Sequence, residues 1–430
     1  MTLSYKKLNK ENENFLKKVD KKNIINNYKY NKRKKKKEND TTTIIYPNYV
    51  KLFFIPDERI LNFVDHFIEI LFNENTYINT IEKMISKKKC IIKNLIESQK
   101  KFFKSKMLTN PIFNYNMADD EVDNIFNKCS GDKIDFNLFY EARRIIQIAK
   151  EKFKTYDNYE KSVFYNELVT KYEFKNYIIK YLQNSGIKVK VKIEFKEHIL
   201  SAVQVFKKGS TYFIQLQNQD IQKKLMKSLC DHEIGTHLLR MINHQNNNLE
   251  KYKINSCYST EEGLAVINSM YTLRKNYLLL VTPALKYLAV CLGHFYSFSK
   301  LYIFLNDFVK DSDKCFKMCA RVKRGLRDTS LPGSVYHDQL YFIGSYSILK
   351  WHKSIDFPLL YSGNIGLKHL NDITNHVDTQ KNLLPSFMIN KKKLNIYLKF
   401  LEKVSCINGI TPEKCNFIQE KKKKNILVNT

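Results

Sequence analysis

Two histidines and three glutamates carry the densest chemistry in this 430-residue chain. Residues 231–240 read DHEIGTHLLR, so His232, Glu233 and His237 form H-E-x-x-x-H. Helical zinc peptidases use H-E-x-x-H, in which both imidazoles bind the metal and the Glu between them is the general base. Here the second His follows five positions after the first, not four. At about 100° per residue, four positions leave two helical side chains about 40° apart, and five leave them about 140° apart, too far round to share one ion. The spacing therefore predicts a widened turn, a π-bulge, between His232 and His237. Gly235 lies in that gap, where a permissive backbone costs least.

Leu225, Met226, Leu229, Ile234, Leu238, Leu239 and Ile242 give this helix an apolar face. A second helical run, STEEGLA at 259–265, brings a carboxylate about one element further on. A third ligand from a following helix completes a catalytic zinc site of two His and one Glu, with one position open for water. Glu233 is reserved as the base that takes a proton from the attacking water and hands it to the leaving amine. Spacing alone leaves Glu261 and Glu262 as rivals for the third ligand, since neighbours on a helix face about 100° apart.

HEIGTH followed by TEEGLA resembles the tubulin tyrosine carboxypeptidase family. The stretch 321–333, RVKRGLRDTSLPG, is similar to that family's R-x-K-R-G-x-x-D-T-S-x-P-G block. Asp338-Gln339-x-Tyr341-x-x-Gly344 and IDFPLL at 355–360 continue the match in the same order. The resemblance covers 231–360, thins before about residue 130 and is absent before 50. It departs at His337, where the family has Lys. It selects Glu262 over Glu261 as third ligand, beside His232 and His237. It implies a zinc carboxypeptidase that removes C-terminal Tyr or Phe from an acidic tail, that of α-tubulin. Such an enzyme must hold a terminal carboxylate, which an Arg fork does well. Arg324 is the first candidate, with Arg321, Lys323 and Arg327 beside it in the resembling block. Tyr341, Tyr336 and His337 are candidates to stabilise the oxyanion, and His337 would make that role pH-dependent. The rival readings are a zinc peptidase of other positional specificity and a microtubule- or nucleic-acid-binding protein without turnover. The second has no use for a general base beside a metal.

These residues need a mostly helical α+β fold, zincin-like, with a small antiparallel sheet before the active-site helix. Val189, Val191, Ile193 and Phe195 alternate with polar residues, as in a half-buried strand. Strands at 199–206 and 211–216 follow, with KKGS at 207–210 as a hairpin turn. The strand 211–216 is the candidate edge for pairing with a substrate backbone. Helices are expected from near Asp57, and over 78–107, 118–126, 136–153, 159–182, 339–351 and 391–404. The chain divides into a disordered basic segment (1–45), a helical part (46–185), the metallopeptidase core (186–418) and a basic tail (419–430).

The formal charge is +30, from 73 Lys and Arg against 43 Asp and Glu, with peaks at 33–37 and 421–424. Such a surface favours acidic partners. By resemblance these are the α-tubulin tail or microtubules, with nucleic acid not expected. Nine Cys form no zinc ribbon or disulfide frame, which points to reduced thiols in the cytoplasm. No signal peptide is expected, and the apolar run 277–292 contains Pro283 and Lys286 and is too short to span a bilayer. His244 lies about 10 Å beyond His237 along a helix, out of reach of the same ion. The other His are expected to be structural.

Overall fold

The computed structural model describes residues 90–415, apart from 165–166, 198–200, 253–256 and 274–277. The expected helix near Asp57, the first part of 78–107 and both basic runs lie outside the described residues. Four helices open the described chain: α1 (Leu95–Lys104), α2 (Asp119–Lys128), α3 (Phe139–Phe153) and α4 (Tyr156–Phe164). A two-residue strand, β1 (Leu168–Val169), then separates α4 from α5 (Lys171–Asn184). The single helix expected over 159–182 is therefore two. The break has a local cause. Thr170 accepts a bond from the Glu173 backbone NH, and the Glu173 carboxylate accepts one from the Thr170 NH, so a capping box starts a new helix there.

The main sheet holds β2 (Val191–Lys196), β3 (Val203–Lys208) and β4 (Thr211–Gln217) in the order β2-β4-β3. β3 and β4 form the expected hairpin, turning through Gly209 at φ 59°. β2 runs parallel to β4, with Val191 opposite Tyr212, so the sheet is mixed and not antiparallel throughout. This also moves β4 from edge to centre. Tyr212, Ile214 and Leu216 point into the core, and both backbone sides of the strand are bonded. β5 (Ile221–Gln222) returns to pair with β1.

The longer helices beyond β5 are α6 (Lys223–His232), a π-helical turn (Glu233–Leu238), α7 (Leu239–Asn246), α8 (Tyr258–Met270), α9 (Val281–Phe295), α10 (Phe298–Val309), α11 (Ser312–Val322), α12 (Leu340–Trp351) and α13 (Lys391–Ile407). Residues 281–292 of the apolar run lie in α9. Ala284, Leu285, Tyr287, Leu288, Ala289 and Val290 are all buried in α9, with α3 and α12 packed on it. Among the described residues no helix is long and apolar enough to cross a membrane.

α8 and α12 touch backbone to backbone. A Cβ added to Gly344 would stand 1.6 Å from the Ser259 carbonyl oxygen, and one added to Gly263 would stand 2.1 Å from the Gly344 carbonyl carbon. Only two bare residues permit that approach, and it holds Glu262 within electrostatic reach of Tyr341. Gly344→Ala should force the helices apart and destabilise the fold by on the order of 3 kcal/mol, the upper range for overpacking. Thermal unfolding reads this directly, and an unchanged midpoint would show that the two helices separate at little cost.

Candidate active site

The helix carrying the first motif widens where the histidine spacing requires it. Residues Glu233–Leu238 form a π-helical turn, and the His232 and His237 rings stand 5.1 Å apart, centre to centre, at 70°. A wider turn displaces backbone carbonyls from their usual partners, and here side chains take them up. The Thr236 hydroxyl donates to the Asp231 carbonyl at 2.8 Å, and the Tyr361 hydroxyl donates to the Gly235 carbonyl at 2.7 Å. The Asn268 amide donates to both hydroxyls at 2.8 Å, and Tyr397 donates to Asn268 Oδ1 at 2.7 Å. All four side chains are fully buried, so each bond replaces one that water cannot supply. Gly235 is needed for room and not for an unusual φ, which it does not adopt. A Cβ there would meet the Tyr181 hydroxyl at 2.7 Å, and that hydroxyl donates to the buried Asp231 carboxylate at 2.8 Å.

Glu262, on the first turns of α8, faces both rings. Its Oε2 lies 3.7 Å from His232 Nε2 and 3.7 Å from His237 Nε2. The three donor atoms fall within 4.8 Å of one another, and no second such group occurs among the described residues. Two ligands bonded at about 2.1 Å to a tetrahedral zinc stand about 3.4 Å apart, so the set fits that ion in both chemistry and spacing.

Glu261 turns the other way. One carboxylate oxygen meets His237 Nδ1 at 2.9 Å, and the other binds the Arg240 guanidinium. Arg240 is fully buried and also donates to the Leu360 and Ile365 carbonyls. Glu261 thus orients the His237 ring and leaves Nε2 toward Glu262, as carboxylates behind metal-binding histidines do. The same contacts set the charges. Burial disfavours protonated His237, but Glu261, Glu262 and Glu233 raise its pKa to about 9. Burial, His237 and Lys286 hold His232 well below its ordinary value. Burial pushes the Glu233 carboxyl up, His237 opposes and Glu262 adds, for a result of about 7.

A second cluster adjoins the first. Arg321 Nε donates to Asp338 Oδ2 at 2.5 Å, and Lys286 Nζ stands 4.4 Å from the centre of the Tyr341 ring. His337 is half-buried with its ring perpendicular to Tyr341 at 6.2 Å, and burial lowers its pKa. Tyr336 is buried. The four basic residues of the 321–327 block separate. Lys323 is fully buried and donates to the carbonyls of Gly293, Leu331 and Tyr296. Arg327 is paired with Asp119 and Asp123 on α2. Neither presents a free cation. Arg324 is half-buried, has no ion pair among the described residues, and is felt by His337. Sequence reasoning missed Arg240, Asp338 and Lys286 as members of this region. Lys286 had one readable signal, a lone charge in the middle of an apolar run. A cleft of about 450 Å³ opens beside His232, Lys286 and Tyr341.

Comparison with known proteins places this arrangement in context. The family described as microtubule-associated tyrosine carboxypeptidase matches residues 131–405. Microtubule-associated tyrosine carboxypeptidase 1 of Rattus norvegicus is 30% identical over 325 residues, spanning 74% of this chain and 67% of the relative. The Homo sapiens protein of the same name gives the same identity and coverage. The putative tyrosine carboxypeptidase MATCAP2 of Mus musculus is 27% identical over 337 residues, covering 76% of this chain and 63% of its own length. These relatives mark a peptidase of the carboxypeptidase class. More narrowly, the chain belongs to the microtubule-associated tyrosine carboxypeptidase family.

The buttress behind the π turn is open to test. Tyr361→Phe removes the donor to the Gly235 carbonyl and leaves that carbonyl buried and unsatisfied. The expected loss is about 1–3 kcal/mol, read as a lower urea midpoint. A midpoint equal to wild type would mean that the turn keeps its shape unaided.

Proposed function

We propose that this chain is a zinc carboxypeptidase of zincin-like build that removes a C-terminal tyrosine or phenylalanine from an acidic protein tail, such as that of α-tubulin. The observation that carries the reading is the convergence of His232, His237 and Glu262 on one point, with Glu233 on the same widened turn. His232, His237 and Glu262 would hold the zinc. When bound, the ion would polarise the scissile carbonyl and make water acidic enough to attack near neutral pH. Glu233 would accept the proton from the attacking water and deliver it to the leaving amine. Tyr341 and His337, both within electrostatic reach of Glu262, would donate to charge developing on the carbonyl oxygen. Arg321 is already bound to Asp338, so Arg324 is the member of the basic block left, among the described residues, to attract a terminal carboxylate.

The substrate backbone needs an open strand edge. β4 is enclosed, and β3 packs against the π turn with no strand on its outer side among the described residues. β3 takes the role that the sequence suggested for 211–216. The +30 charge suits an acidic polymer, and the nine cysteines are all free thiols, consistent with a cytoplasmic, microtubule-associated enzyme.

Metal analysis should return about one zinc per chain, lost in His232→Ala and Glu262→Ala. Glu261→Gln should keep it with affinity about 10–100-fold weaker, as for a residue that orients a ligand. Full zinc retention in Glu262→Ala would overturn the ligand set. Glu233→Gln should keep zinc and fold while losing about 10²–10⁴-fold in turnover, followed by mass spectrometry of tubulin tails. Near-normal detyrosination by that variant would refute the proposed base.

A further inference from the structure

The cleft beside the donor cluster contains a cation with no hydrogen bond or ion pair among the described residues. Lys286 sits in the middle of α9, flanked by the buried Leu285 and Tyr287. Its ammonium lies over the Tyr341 ring, and among the described residues it has neither a hydrogen bond nor a carboxylate at ion-pair distance. The acids whose charge it feels are already committed. Asp338 is bound by Arg321, and Glu262 is the third donor of the metal set. Half-buried ammonium groups in apolar walls call for a counter-charge. This one faces open space.

That space is the cleft of about 450 Å³, within the ordinary range of about 300–1,000 Å³ for sites that take small organic groups. Its lining includes His232, Lys286 and Tyr341, and also Asp157 and Glu160, whose charges are met by Lys314. Leu225, Val266, Met270, Leu279 and Pro283 supply apolar walls. Neither Arg321 nor Arg324 lines it. We infer that Lys286 and this cleft seat the last residue of the substrate, the ammonium binding its free α-carboxylate and the apolar walls taking its aromatic ring. A carboxylate fixed at Lys286 leaves the preceding peptide bond to reach toward His232 and its partners, so cleavage releases a single residue. The inference rests on the carboxypeptidase reading above and moves the carboxylate's anchor from the 321–327 block to α9.

Binding can be measured apart from turnover, using full-length zinc-loaded Glu233→Gln protein and short peptides. Three peptides are needed: one ending in tyrosine as the free acid, its C-terminal amide, and one ending in alanine as the free acid. The Glu233→Gln parent should prefer tyrosine acid to its amide on the order of a hundredfold, as for a charge pair in a closed site. Adding Lys286→Gln should abolish that preference, and Lys286→Arg should keep part of it. Val266→Phe, which narrows the cleft near His232, should weaken the tyrosine peptide about tenfold relative to the alanine peptide. Zinc content and thermal unfolding of each variant separate these effects from damage to the fold. An acid preference that survives Lys286→Gln overturns the inference, as does an equal loss for acid and amide, which would put Lys286 on the reacting carbonyl. Equal effects of Val266→Phe on both acids overturn the ring's placement. Failure of the underlying reading shows elsewhere, as wild-type protein that releases no terminal residue from any of the peptides.

Discussion

The site depends on one buried hydrogen-bond network, Thr236–Asn268–Tyr361–Tyr397, which holds open a helical turn that contains one residue too many. Without the π turn His232 and His237 diverge around the helix. With it, carbonyls leave the helical ladder and need new donors inside a dry core. Thr236 and Tyr361 donate to those carbonyls, and Asn268 of α8 and Tyr397 of α13 hold the two hydroxyls in place, so the network draws on separate parts of the chain. α8 contributes twice, because Glu262 faces the two imidazoles from the same helix whose Asn268 supports the turn. The position of the third carboxylate and the shape of the first motif are therefore fixed by one element.

Charge is arranged around this frame in a relay of opposite signs: Arg240, Glu261, His237, Glu262. Burying a guanidinium is costly unless every donor is used. Arg240 uses Glu261 and two carbonyls, which ties the back of the His237 ring to the 360–365 segment. Glu233 has no such partner among the described residues. Its carboxyl sits in the same low-dielectric region without a cation bonded to it, which is why burial dominates and raises its affinity for a proton. Two glutamates on neighbouring elements thus differ in proton affinity because one is answered by arginine and the other is not.

Much of this was legible. The five-residue histidine spacing announced a bulge before any coordinates, because helical periodicity is strict enough for one extra residue to matter. The half-buried strands and the Gly209 hairpin were also visible as a period of two with a turn signal. That period names the face of a strand but not its neighbour. The parallel pairing of β2 with β4, and hence which strand is the edge, depends on contacts distant in sequence. The helix start at Thr170 was written in T-x-x-E and passed unread. Lys286 and Gly344 could be seen in the sequence but not understood, for a different reason. A lysine in an apolar run looks like an interruption until the cleft beside it is seen, and a glycine in a helix explains itself only when the second helix arrives.

The contact between Gly263 and Gly344 has a dynamic consequence. Most helix pairs meet through side chains, which absorb small displacements by changing rotamer. α8 and α12 meet without such a cushion, so rotamer changes cannot absorb a displacement at the contact, which lies within three residues of both Glu262 and Tyr341. Accommodation of an incoming peptide then falls to side-chain rotation, on picosecond to nanosecond times, and not to slower sliding of one helix over another.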